Sequence, residues 1–341
     1  MKAATLLLLA FAATGTLRAQ DADPFFAGNA PLVMDASRTG FDPGARISFI
    51  HRDQWLQMPG TWRNEQLAAE WCARNHRRQV RSWLGLGMMA GRDHQGAQEF
   101  ENSFAGFSSA MHLRAGSRSY LSAGINLRWV NSTVGDVDGT WGSQYDGMRY
   151  DPGLASGESW TNGNHAWAEA GAGLSFTLKA EEESRLRREP NVLVAGISAD
   201  HLGHLRLRDD GPPLTAAPVC FTAYAMGKLP DVGWDNGFLS AELITRMQGP
   251  IQTGRLNLYV GKDQLNRVRQ KGGPALLGFK TGVGYRWQDA LLVNAALDWG
   301  NATFGMAYGW SLFGTNKMTA GRRTFEFMLQ VRLPGKGDGR G

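Results

Sequence analysis

His201 and His204 form an H-x-x-H pair, a spacing found in metal sites. Zinc needs a third protein ligand at a recognised spacing, and none accompanies them; Leu205 and Leu207 alternating with Arg206 and Arg208 read as a strand end. Asp136, Asp138, Asp146 and Asp151 supply the hard oxygens calcium prefers, but without the compact glycine-centred spacing of a calcium loop. Serines and histidines of the kind an outer-membrane phospholipase uses are present, yet the sequence identifies no nucleophile, base and orienting partner as a set. GLGMMAG, Gly85 to Gly91, is glycine-rich but lies inside a strand pattern with no helix start to hold phosphate. The sequence thus points to no cofactor, no metal and no catalytic residues.

Most other distinctive residues fall in alternating segments. Leu121, Ala123, Ile125, Leu127 and Trp129 share one face of a strand, and Ser122, Gly124, Asn126 and Arg128 share the other. The same rhythm predicts fourteen strands, near 45–55, 62–72, 82–91, 103–114, 120–131, 165–178, 191–201, 217–228, 237–247, 253–261, 275–287, 291–299, 302–312 and 324–333. The face opposite the apolar one is small and polar, with few of the Lys and Glu that cover a soluble sheet. Trp55, Trp71, Trp129, Trp287, Trp299 and Trp310, several at strand ends, suit an interfacial girdle. The expected fold is therefore an all-β transmembrane antiparallel barrel of about fourteen strands, the even count usual in bacterial outer membranes.

This assignment sends charge into the lumen. Arg128, Arg246, Lys280, Arg286 and Arg332 face inward with Glu169, Glu242, Asp298 and Glu326. A midplane Arg or Lys turned to lipid would cost about 2–4 kcal/mol. Pairing across the lumen, which fills and stiffens it, is the simpler expectation; the sharper one is that these groups line a pore or grip an inserted segment.

Lys2, the apolar run Ala3–Ala13 and Leu-Arg-Ala ending at Ala19 predict a cleaved signal peptide over 1–19. Without Lys2 and Arg18, the 36 basic residues fall to 34 against 31 acidic ones, too even a balance to argue for nucleic acid. Residues 20–44 are expected as an N-terminal periplasmic segment, 45–333 as the barrel and 334–341 as a tail. Cys72 and Cys220 lie in separate strands, and two free structural thiols are expected. With the N-terminus in the periplasm, the longest connection, about 132–164, faces outward, and Gly300-Asn301 is a two-residue inward turn. The stretches 74–81, 179–190 and 262–273 fall on the periplasmic side and are long for that side.

Several stretches together resemble the PorP/SprF family of outer-membrane proteins associated with the type IX secretion system of Bacteroidota. ARISFIHRDQW, Ala45 to Trp55, followed by PGTWRNEQLAAEW, is similar to the family's opening strand, with Arg52, Gln54 and Trp55 matching and His51 and Asp53 departing. SQYDGMRYDPGLASGE, Ser143 to Glu158, resembles the long-loop signature, and is followed by AEAGAGLSF and VAGISADHL strands in which His201 is a structural position. GWSLFGTNKMTAGRRTFEFMLQVRL is similar to the final hairpin, while NAPLVMDASRTG, Asn29 to Gly40, matches the family's Asn-Pro-Ala segment only loosely.

The resemblance implies a non-enzymatic membrane component of secretion, surface attachment or gliding. Its implied partners are a secreted adhesin or other type IX cargo recognised through a sorting domain, periplasmic or outer-membrane secretion and gliding subunits, and membrane lipid. Trp141, Tyr145, Tyr150, Asp151, Pro152 and Trp160 are then the candidate cargo-contact residues, and Arg77, Arg78, Arg267 and Arg269 the candidate periplasmic contacts. A porin or solute channel, with an open lumen, and a lipid-hydrolysing barrel, with Ser and His in contact on one wall, are the alternatives.

Overall fold

The structure, a computed structural model, describes residues 21–56, 61–73, 81–96, 100–134, 142–155, 163–179, 191–210, 217–230, 232–234, 236–263, 277–312 and 323–333. Fourteen antiparallel strands close into one barrel. They are β1 (Ala45–Gln54), β2 (Trp62–Cys72), β3 (Ser82–Gln95), β4 (Phe100–Arg114), β5 (Ser119–Val134), β6 (Gly163–Lys179) and β7 (Asn191–Asp210). The second half comprises β8 (Cys220–Pro230), β9 (Gly237–Gln248), β10 (Ile251–Lys262), β11 (Leu277–Arg286), β12 (Ala290–Trp299), β13 (Ala302–Ser311) and β14 (Arg323–Leu333). Each strand pairs with its sequence neighbours, and β1 closes on β14 with Ala45 opposite Leu333 and Gln54 opposite Thr324. Closure leaves no unpaired edge, the condition for irregularity-free backbone in a lipid solvent.

The alternation of faces follows the sequence. On β5, Ile125 is 59% exposed and its neighbour Asn126 5%, so the apolar side looks outward and the polar side into the barrel. Phe279, Val283, Leu291, Val293, Leu297, Phe304 and Met306 face outward in the same way. Of the six tryptophans assigned to a girdle, Trp71, Trp129, Trp287, Trp299 and Trp310 are exposed on the outer wall, whereas Trp55 is half-buried against Trp62. Gly300 and Asn301 form the two-residue turn between β12 and β13, with Gly300 at φ +59°, a value that costs glycine no steric penalty. Cys220 is a buried free thiol and Cys72 is half-buried.

Two expectations need correction. β7 does not end near residue 201 but runs to Asp210 through a bulge, where His201 (φ +60°) and Gly203 (φ +74°) interrupt its register with β6. Residues 21–44 do not hang below the barrel as a periplasmic segment: they pass through the inside of the strand ring. A 3-10 turn at Ala27–Asn29, a single α-turn at Pro31–Met34 and a second 3-10 turn at Ala36–Arg38 carry this segment. Phe25, Phe26, Ala30, Leu32, Met34 and Ala36 are all buried. The reason is apolar area, since burying each large side chain is worth about 1.5–3 kcal/mol and the wall supplies apolar partners for it. Phe25 and Phe26 pack with Ile50, Leu292 and Met328, Met34 packs with Val194, Tyr224 and Ile244, and Leu32 with Ala68 and Met89.

The strap has a direction. Both ends of the barrel sequence, Ala45 and Leu333, lie at one end of the cylinder, here the near end. Asp21 and Asp23 meet Gln248, Arg52 and Arg286, which close β9, β1 and β11 at the far end. Gly40 meets Glu70 toward the near end, beside the start of β1. The strap therefore runs the length of the lumen before the first strand begins.

Candidate functional site

The lumen is the site, and the strap is what its polar residues hold. Toward the near end, Gln330 Nε2 and Ser48 Oγ (3.3 Å) donate to Asn29 O, and Lys280 Nζ donates to Asn29 Oδ1 at 3.0 Å. At mid-height Tyr224 Oη donates to Asp35 Oδ2 at 2.6 Å and Ser198 Oγ to Met34 O at 3.0 Å. Thr39 O faces His112 Nε2 at 2.8 Å, and Glu70 accepts Gly40 N at 2.8 Å while pairing with Arg46.

Three glycines let the wall come this close. A Cβ at Gly85 would meet Thr39 O, one at Gly124 would meet Ala36 O, and one at Gly173 would meet the Asp35 carboxylate. Gly85 and Gly124 thus touch strap backbone directly, a contact no larger residue permits.

At the far end the contacts are ionic. His201 lies between Glu169 (Nδ1 to Oε2, 2.8 Å) and Asp21 (Nε2 to Oδ2, 2.6 Å). With a carboxylate on each ring nitrogen, neither is left for a metal, and His204 stacks on Trp167 instead. Arg255 Nη1 lies 3.3 Å from Asp23 Oδ2 and donates to Pro24 O at 2.8 Å. Arg286 Nη2 donates to Asp23 O at 3.3 Å, Arg52 Nη1 donates to the same oxygen, and Glu326 accepts the backbone N–H groups of Phe25 (2.7 Å) and Phe26 (2.8 Å). Burial alone would raise the Asp23 carboxyl, but Arg255, Arg286, Arg246 and Arg52 outweigh it and bring it down to about 2. Asp21 is likewise held low: burial opposes, and His201, Arg246 and Arg128 prevail.

Of the nine charges assigned to the lumen, cross-lumen pairing describes few. Arg128 pairs with Glu169 at 3.0 Å and lies 3.6 Å from Asp200. Arg246 donates to Ala22 O at 2.9 Å, Lys280 to Asn29, and Arg286 to the strap as well as to Asp289. Glu242 accepts from Tyr259 at 3.0 Å and Asn257 at 3.3 Å, and Asp298 accepts from Thr303. The expectation of wall-to-wall pairs gives way to gripping of an inserted segment, because backbone carbonyls buried in the lumen must also be satisfied. Arg255, Arg52, His112 and Asp200 were not among the candidates. For Arg255 the signal was available, since period two sets it on the same face as Asn257 and Tyr259.

On the far side of the barrel wall, Gly142–Gln144 and the stretch to 155 form a compact turn structure. Tyr145 and Tyr150 pair across it, Gln144 Nε2 donates to Leu154 O at 3.0 Å, and Asp151 N donates to Gln144 O at 2.8 Å. Asp146 Oδ1 accepts from Met148 N and Arg149 N, both at 2.7 Å, and Asp151 Oδ1 from Gly153 N at 2.8 Å. These carboxylates serve as turn acceptors. Tyr145, Met148, Tyr150, Pro152 and Leu154 are exposed. Trp141, Trp160, Arg77, Arg78, Arg267 and Arg269 lie outside the described residues. Among the described residues no group of three or more His, Cys, Asp or Glu is placed to hold a metal ion.

No curated protein sequence matches this chain. Among solved structures, the CymD monoaromatic hydrocarbon channel aligns at 11% identity over 91% of this chain and 94% of its own, with a TM-score of 0.47. The Pseudomonas putida toluene transporter TodX aligns at 9% identity over 89% and 93%, with a TM-score of 0.48. The translocator domain of the autotransporter NalP from Neisseria meningitidis aligns at 10% identity over 86% and 89%, with a TM-score of 0.39. Identities and scores of this size carry no weight for function. A family model for "Type IX secretion system membrane protein PorP/SprF" matches residues 28–331, from within the strap to the last strand. The chain accordingly belongs to the PorP/SprF family, as an integral outer-membrane barrel component of the type IX secretion system.

Proposed function

We propose that this barrel is a non-catalytic surface anchor, which binds secreted type IX cargo through its sorting domain at the far end and meets periplasmic machinery at the near end, in attachment or gliding. The observation that carries this reading is the strap itself. With residues 23–41 buried or half-buried along the lumen, the interior is committed to holding the chain's own segment, and the surfaces left for partners are the two ends. Outer-membrane barrels place their long loops outside, so the far end, which carries the longest connection, is the cell surface. The Tyr145–Tyr150 turn offers aromatic and apolar side chains there, the residue types enriched at binding hot spots. The basic stretches containing Arg77, Arg78, Arg267 and Arg269 would meet acidic periplasmic subunits.

Deleting residues 140–160 should abolish display of the partnered adhesin on whole cells, read by antibody against the adhesin, while the folded barrel still resists unfolding in cold detergent. Undiminished display by a correctly assembled deletion barrel would overturn the anchor reading. The porin alternative has no observation in its favour, since a filled lumen argues against free solute flow.

A further inference from the structure

The strap is held in two different ways. From Leu32 to Thr39 it is wedged by shape, against apolar side chains and against glycines whose Cβ would strike it. From Asp21 to Pro24 it is held by charge, and the groups that hold it come from five separate strands: Arg52 on β1, His201 on β7, Arg246 on β9, Arg255 on β10 and Arg286 on β11. Convergence of this kind is costly, because arginines crowded together repel one another and lose hydration. The head does not use all that they offer. Arg52 Nε, Arg255 Nε and Nη2, and Arg286 Nε are buried without a hydrogen-bond acceptor, although Arg52 and Arg255 are only 1% and 2% exposed. A buried arginine with idle N–H groups is built to take carboxylate oxygens in pairs, and Asp23 meets Arg255 through a single oxygen.

The contacts define what the site recognises. One carboxylate lies against His201, the carbonyl of the next residue receives Arg246, and a second carboxylate two positions along lies between Arg255 and Arg286, its own residue's carbonyl taking Arg52 and the next carbonyl taking Arg255. We propose that these five residues form a receptor for an acidic peptide with two carboxylates two positions apart, and that Asp21–Pro24 is its resident occupant, exchangeable for such a segment of a secreted partner. That the partner is secreted rests on the anchor reading; the chemistry of the receptor does not. Exchange needs only the head to leave, because the wedged part of the strap stays seated on its glycines.

The probe is the head's own sequence, the peptide Asp-Ala-Asp-Pro-Phe-Phe with a fluorophore at its C-terminus, titrated into the full chain in detergent and read by anisotropy. The resident head competes in the natural protein, so a chain carrying Asp21→Asn and Asp23→Asn should bind the peptide about tenfold more tightly than the natural chain. A peptide with both aspartates replaced by asparagine should bind that variant at least about tenfold more weakly than the charged one. Adding Arg255→Gln and Arg286→Gln should weaken the charged peptide's binding by about thirtyfold. Equal binding of charged and neutral peptides to the head variant would overturn the proposal, and this comparison needs no arginine variant to fold. Since the measurement uses no cargo and deletes no loop, peptide binding without loop-dependent display would sink the anchor reading alone, and display without peptide binding would sink the receptor alone.

Discussion

Asp23 illustrates how one side chain's protonation is written into the lumen. Its carboxyl is fully enclosed, which by itself favours the neutral acid, yet Arg255 and Arg286 lie within 4 Å and bring it to about 2. The ordinary value is 3.8, so the folded value is the depressed one. Its stabilising contribution is then fully present above the unfolded value and is lost as pH falls through the folded one. Docking of the head should hold from neutral pH down to about 4.5 and weaken between about 4 and 2. An environment-sensitive dye on Ala22→Cys, in a chain with Cys72 and Cys220 replaced by serine, reports this as a spectral change on acidification. With Asp23→Asn added, the acid transition should shrink, since the titrating group is gone; an unchanged acid profile would remove Asp23 from the latch.

The elements divide into those whose residues announce them and one whose residues do not. The strands were legible because a barrel wall has one apolar and one polar face at a strict period of two, and each of the fourteen predicted segments corresponds to a strand, with β12 expected at 291–299 and found at Ala290–Trp299. Parity also assigns Arg128, Arg246, Lys280 and Arg286 to a face. What parity cannot give is the partner: Arg246 meets Ala22 and Lys280 meets Asn29, more than two hundred residues away in sequence. The strap's own turns are three or four residues long, too short to show a period. Small inward residues such as Gly85 and Gly124 allow an open pore as well as a filled one, and their size is what lets strap backbone rest on them. Gly85→Ala should therefore cost about 1–3 kcal/mol of overpacking, because the obstructing atoms are backbone and cannot rotate away. Gly227 is the control, since a Cβ there would meet nothing within 4 Å. Thermal unfolding should show a lowered midpoint for Gly85→Ala and none for Gly227→Ala, and equal behaviour of the two would mean that the strap does not bear on the wall.

For the molecule as a whole, the consequence is a membrane-crossing barrel with its own N-terminal strap in the lumen. Phe25, Phe26, Leu32 and Met34 occupy the lumen, and a polar cavity of about 130 Å³ beside Asn29, Lys228, Glu242 and Lys280 leaves room for a handful of waters. Conductance separates this arrangement from a porin more directly than any static distance. In planar bilayers the natural chain should pass little ion current, because its rows of lumen charges are spent on the strap and its apolar side chains exclude hydrated ions. Deleting residues 21–30 takes away Asp21, Asp23, Phe25 and Phe26 while keeping Pro31–Thr39 on the glycines, so the barrel retains much of its inner support. That deletion also frees Arg52, Arg255 and Arg286 from their anionic partner, which turns the opened far end into a vestibule with excess positive charge. The opened barrel should show a clear unitary conductance, several-fold above the natural chain, with preference for anions over cations measured as a shifted reversal potential in a salt gradient. A natural chain that already conducts like a porin, unaltered by the deletion, would mean that the strap does not seal the lumen, and the case for an anchor that works only at its two ends would fall with it.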